Sequence, residues 1–108
     1  MFARNISMRL KPNSVAEFNK TIENDVLPLL LRQRGFQHEL VLISSNGTEA
    51  VGISLWDQKD SAETYHRTTY PEVQKLLSKV IEGTPQVQTY EVSTSTLQKT
   101  AAQRSVSA

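Results

Sequence analysis

The residues best equipped for chemistry follow one another closely: Trp56, Tyr65, His66 and Tyr70. An imidazole has the ordinary pKa nearest neutrality, so His66 is the candidate base, and Tyr65 beside it is a candidate orienting hydroxyl. Trp56 offers a flat apolar wall on which a ring could stack, with Tyr70 and, from the first strand, Asn5 as further substrate contacts. What this group suits is a cavity between Trp56 and the Tyr65-His66 helix that holds an apolar ligand. Each residue also has a plainer reading. Trp56 and Tyr65 are the kind of aromatics that fill a core with their polar tips at its rim. A lone helix histidine is commonly solvated, and Asn5 and Ser7 fit the polar alternation of a half-exposed strand. Successive helical residues also diverge by about a third of a turn, so Tyr65 and His66 cannot both face one pocket squarely.

Other chemistries lack their residues. The four glycines form no phosphate-cradling pattern, and no serine sits in a nucleophile-elbow spacing. There is no cysteine, which removes disulfides, thiolate metal sites and thiol nucleophiles. His38 is the second imidazole and falls on a different element from His66, with no helical spacing to a carboxylate that would suggest a metal. Twelve basic against eleven acidic residues leave a formal charge of +1, which gives no footprint for nucleic acid or anionic lipid. The first ten residues contain Arg and Asn where a signal peptide needs an unbroken apolar run, and no later run reaches membrane-spanning length, so a cytoplasmic protein is expected.

The elements that must position these residues are organised around Gly35 to Trp56, which reads as a β-hairpin turning at Asn46-Gly47. Before it, residues 2–10 alternate as a strand, with Phe2, Ile6, Met8 and Leu10 sharing one parity with Arg4. Ser14 and Glu17 have capping-box spacing for a helix whose buried stripe is Val15, Phe18, Ile22, Val26, Leu29 and Leu30. Pro28 predicts a kink or break near Val26, and Gly35 a left-handed C-terminal cap. After the hairpin, Asp60 and Glu63 suggest a second capping box and a short helix from Ala62 to Thr69. Thr69 caps a third helix carrying Val73, Leu76, Leu77 and Val80 inward, with its stop at Gly83. A last strand is expected over Val87 to Ser95, and residues 97–108 read as a polar tail after one domain over 1–96.

Strand, helix, strand, strand, helices, strand is the order of a ferredoxin-like split β-α-β sandwich, an α+β fold with helices on one face of an antiparallel sheet. Leu40, Val41, Leu42 and Ile43 are apolar on both parities. One layer of helices covers one face, so the other is expected to meet a second copy, giving a homodimer.

Leu27-Pro28-Leu29-Leu30, then Gly35-Phe36, Ile53-Ser54-Leu55-Trp56 followed by Asp57, and Tyr90-Glu91-Val92 in the last strand resemble, in order and spacing, the antibiotic biosynthesis monooxygenase family. The likeness runs from about Phe2 to Thr96. It implies a dimeric α/β barrel with a small apolar pocket between sheet and helices in each subunit, and oxidation of polycyclic phenols without metal or flavin. A haem-degrading branch of these proteins carries Asn on the first strand, Trp on the helix after the third strand, and His on the following helix. Here Asn5 is one position out of phase, Tyr65 stands near the Trp position, and Val73-Gln74-Lys75-Leu76 supplies no His, so that branch and its cofactor are disfavoured. Trp56 is the strongest residue the resemblance carries over.

The resulting expectation is a cofactor-independent monooxygenase acting on a small phenol- or anthrone-type substrate. Its alternative is a non-catalytic dimeric small-molecule-binding or stress-associated protein of the same fold. An enclosed cavity beside Trp56 favours the enzyme, whereas a filled core favours the binder. A nucleic-acid module on the sheet would need a basic surface, which the charge balance does not give.

Overall fold

The computed structural model describes residues 1–97, so the expected tail lies outside the described residues except for Leu97. Four strands, β1 (Phe2–Leu10), β2 (Phe36–Ile43), β3 (Glu49–Trp56) and β4 (Ile81–Glu91), form one antiparallel sheet in the order β2-β3-β1-β4. Helices α1 (Val15–Thr21), α2 (Leu27–Leu31), α3 (Lys59–Thr68) and α4 (Tyr70–Leu77) belong to the two crossovers. This is the ferredoxin-like α+β arrangement expected from the element order. The homodimeric barrel is a matter of a second chain.

Period-2 alternation on β1 places Phe2, Met8 and Leu10 in the core beneath the helices, with Ile6 packed against it. Phe18, Ile22, Val26 and Leu30 meet them from the first helical layer, and Val73 and Leu77 from α4. Pro28 acts where expected, but the chain bends by a π-helical turn, Ile22–Val26, rather than by breaking. Leu27 N–H reaches back five residues to the Ile22 carbonyl, which restores satisfaction just before the proline whose missing donor interrupts the ladder.

Several local expectations are corrected. Neither capping box forms: Ser14 Oγ donates to the Pro12 carbonyl, and α3 starts at Lys59, which puts Asp60 inside its first turn. The hairpin connection is longer than a two-residue turn. Gly47 alone takes positive φ, while Asn46 Oδ1 accepts hydrogen bonds from Ser44 Oγ, the Thr48 N–H and Thr48 Oγ1. Helix α4 ends at Leu77, and Gly83 lies within β4 near a bulge against β1 rather than closing the helix. Strand β4 consequently begins six residues earlier than Val87. Pro85 is accommodated because β4 is an edge strand, where a missing donor costs no ladder bond on the open side.

Gly35 has φ +83° and its carbonyl accepts the Asp57 N–H at 2.8 Å. A side chain there would collide with Asp57 Oδ1 and Ser61 Oγ. Only glycine lets the start of β2, the end of β3 and α3 approach this closely, and that approach sets Trp56 against Tyr65.

The sheet face away from the helices carries Leu40, Leu42 and Tyr90 about half exposed, at 48%, 51% and 50%, beside half-buried Val51, Ile53 and Leu55. It is an apolar surface that nothing among the described residues covers. Among the described residues, no helix is long and apolar enough to cross a membrane.

Candidate functional site

The site begins with a charge in the wrong half of a strand. Arg4 has the parity of Phe2, Ile6, Met8 and Leu10, so β1 turns it under the helices, where it is 2% exposed. It lies opposite Ser54 on β3 and Thr89 on β4, and Ser54 in turn pairs with Glu39 on β2. One row across the inner face therefore reads Glu39, Ser54, Arg4, Thr89.

Aromatic side chains enclose the guanidinium. Its central carbon sits 5.0 Å from the Tyr65 ring centroid and 4.7 Å from that of Tyr70, both within cation–π range. Tyr65 continues into Trp56, with centroids 5.1 Å apart, and Tyr70 stacks on His66 at 5.3 Å and 17°. Arg4 Nη2 lies 2.9 Å from His66 Nδ1. Arginine has donors only, so Nδ1 must be the acceptor and the ring proton of the neutral imidazole belongs on Nε2. Desolvation, and secondarily the Arg4 cation, hold the His66 pKa below its ordinary value. Among the described residues, Arg4 Nη1 is buried and has no hydrogen-bond partner.

Titratable neighbours respond to the same environment. Burial pushes the Glu39 carboxyl up to about 8, with Arg4 pulling the other way. Burial likewise pushes the Tyr65 hydroxyl up to about 12 and raises that of Tyr70. At neutral pH the row thus holds a protonated or barely ionised acid and a full guanidinium charge.

Arg4 and His66 border an open cleft of about 500 Å³ between α3 and the inner face of β1 and β4. Phe2, Ala62 and Val87 supply its apolar lining; Lys59, Arg67 and Glu63 supply charge from α3, and Thr89 a hydroxyl. Among the described residues no three His, Asp or Glu side chains come together to hold a metal ion.

Of the residues singled out in the sequence, the structure brings together Tyr65, His66 and Tyr70, and it does so around Arg4. Tyr65 and His66 diverge on the helix as expected and yet meet the same guanidinium, one by its face and one by its ring nitrogen. Trp56 is wholly buried, its Nε1–H donating to Ser54 Oγ at 2.9 Å and its ring packed by Phe36 and Tyr65; it does not border the cleft. Asn5 pairs with Ile53 and Gln88 on the parity opposite Arg4, which puts it on the far face of the sheet. Arg4 and Glu39 were not among the sequence candidates. For Arg4 the signal was a charged residue at a core parity of β1; β2 is apolar on both parities and its register shifts between Phe36 and His38, so its sequence does not say which way Glu39 faces.

No family model matches the chain, and no curated protein does. Solved structures match it over most of its length. A monooxygenase from Streptomyces coelicolor, solved with nanaomycin D and encoded by ActVA-Orf6, superposes with a TM-score of 0.74 at 15% identity, covering 87% of this chain and 88% of that one. SnoaB, a cofactor-independent oxygenase from Streptomyces nogalater, gives 0.73 at 15% identity, over 88% of this chain and 95% of its own. A protein of unknown function from Nitrosomonas europaea gives 0.70 at 14% identity, over 87% and 90%. The fold is therefore the one found in the antibiotic biosynthesis monooxygenase structures, as the sequence resemblance implied.

Proposed function

With that fold as premise, we propose that the chain is a cofactor-independent monooxygenase-like protein whose substrate, a small phenol or anthrone, occupies the cleft beside Arg4 and His66. The expectations of a homodimer and of a cytoplasmic location go with this reading, the first supported by the uncovered apolar face of Leu40, Leu42 and Tyr90. The observation that carries it is the Arg4–His66 hydrogen bond on the wall of a partly apolar cleft. It couples a permanent cation to a ring nitrogen that can touch a ligand.

The pairing changes the role expected for His66. With Nδ1 occupied by Arg4, the free nitrogen is Nε2, which carries the proton, so His66 meets the substrate as a hydrogen-bond donor rather than as a base. An acidic anthrone C–H would lose its proton to water at the open mouth. The resulting carbanion reduces dioxygen and forms a carbon–oxygen bond, giving a hydroperoxide once a proton is returned. Loss of water breaks the oxygen–oxygen bond and leaves a carbonyl. The sum is a methylene group plus O2 giving a ketone plus water. The chain's own residues bind and orient the ring, and stabilise the anion with N–H donors.

A second reading, the non-catalytic small-molecule binder, is favoured by one observation: Trp56 fills the core instead of lining a cavity. Oxygen uptake separates the two. Metal-free protein incubated with 1,8-dihydroxyanthrone should consume one O2 per substrate faster than buffer alone, and His66→Ala should slow this by roughly tenfold or more. Uptake no faster than in buffer leaves the binder.

A further inference from the structure

We propose that this cleft holds its ligand as the oxyanion, a phenolate or enolate, with the charged oxygen on Arg4 Nη1; the inference rests on the reading above only for taking the ligand to be a phenol. A guanidinium taken out of water needs compensation for its lost hydration, normally from a carboxylate. Arg4 is 2% exposed, and the compensation among the described residues is incomplete. Two tyrosine faces, the Tyr65 hydroxyl and one imidazole nitrogen engage it, all of them uncharged, and Nη1 has no hydrogen-bond partner among the described residues. Glu39, the acid whose charge Arg4 feels, has its own carboxyl pushed up to about 8. Arg4 is one of the residues lining the cleft, and a buried cation with an unfilled donor is the arrangement that an anion entering there would complete.

The geometry also limits the anion. Nη2 is already committed to His66, so the usual fork-on-fork pairing of guanidinium with carboxylate is blocked on that side. One oxygen on Nη1 suits a phenolate better. Phe2, Ala62 and Val87 suit the ring that bears it. At the mouth, Lys59 and Arg67 outnumber Glu63, so the approach is also favourable to negative charge.

The consequence is that the protein needs no general base. Arg4 lowers the pKa of the bound hydroxyl, the O–H bond breaks heterolytically, the electron pair stays on oxygen, and the proton leaves to solvent through the cleft mouth. An opposite charge a few ångströms away lowers a pKa by about 1–3.

The test uses 4-nitrophenol, whose phenol and phenolate absorb differently, with the full chain, Arg4→Met, Arg4→Lys and the double rim variant Lys59→Met/Arg67→Met, each checked for folding by circular dichroism. Bound probe should ionise about one to three pH units below free probe. The effect should vanish in Arg4→Met, persist in part in Arg4→Lys, and be reduced less in the rim variant than in Arg4→Met. 4-Nitroanisole, which cannot ionise, should bind roughly tenfold more weakly or worse. If Arg4→Met fails to fold, Arg4→Lys against wild type decides. Bound probe titrating like free probe, equal binding of the anisole, loss of the effect in the rim variant with retention in the Arg4 variants, or no binding at millimolar concentration each overturns the proposal. A lowered probe pKa with no oxygen uptake leaves this inference standing and removes the oxygenase reading.

Discussion

Arg4 Nη2 and His66 Nδ1 lie 2.9 Å apart, 62 residues apart in sequence, and this one hydrogen bond ties the inner face of β1 to the exposed side of α3. It makes His66 half of a pair. Because the guanidinium can only donate, the contact survives only while Nδ1 keeps its lone pair, so protonation of the imidazole must break it. The shift of the His66 pKa below its ordinary value expresses the same fact: burial disfavours the charged ring, and so does the cation next to it.

Arg4→Met should leave thermal stability unchanged or raise it by a few degrees. A buried cation lacking a carboxylate is costly, and an apolar side chain of similar length removes that cost without opening a cavity. The same variant should lose binding of phenols. Differential scanning calorimetry decides: a melting temperature lowered by more than about 5 °C would make Arg4 a structural anchor.

Glu39 gives a pH dependence whose sign is fixed by its direction. Its folded pKa, about 8, lies above its ordinary value. Between the ordinary value and about 8 the folded state binds a proton that the unfolded state does not, so stability from this group is complete at low pH and is lost as pH rises through about 8. The melting temperature should fall by on the order of 5 °C between pH 6 and pH 9, and Glu39→Gln should flatten that slope. His66 acts oppositely: its folded pKa is lowered, so it loses stability as pH falls below its ordinary value. A melting curve that rises from pH 6 to pH 9 would contradict the placement of Glu39.

Trp56 should matter for stability first. Trp56→Ala is expected to cost on the order of 3–5 kcal/mol in urea unfolding. Ser54→Ala, which strands the buried indole N–H, should cost about 1–3 kcal/mol.

The outer sheet face should be an interface between two copies. Leu42→Lys puts a charge on the β2 side of the outer face, beside half-exposed Leu40 and half-buried Val51. Sedimentation should show a dimer for wild type and a monomer for the variant, while α-helical content stays the same. Wild type sedimenting as a monomer at micromolar concentration removes the dimer.

The sequence made the sheet legible because β1 and β3 alternate cleanly and the glycine and proline punctuation is strong; the strand order follows from the element order. The ends of elements were less legible. Ser14 stands at the N-cap of α1 but turns its hydroxyl back to Pro12, α3 begins before Asp60, and Gly83 served a β-bulge rather than a helix stop. The site was half legible. Tyr65, His66 and Tyr70 stood out by residue type, whereas Arg4 was visible only as a charge at a core parity, which reads as an exception until the rings around it are seen. Trp56 stood out most and is wholly buried, since nothing in a strand-terminal tryptophan says which side of Tyr65 the cleft will open on.

The account depends most on the Arg4–His66 contact, and long-range proton–nitrogen NMR of the imidazole measures it directly. At pH 7 the His66 ring should show the neutral form protonated at Nε2, with a titration midpoint below 6.5 that rises in Arg4→Met. A ring protonated at Nδ1, or a midpoint above 6.5 unaffected by loss of Arg4, would contradict it.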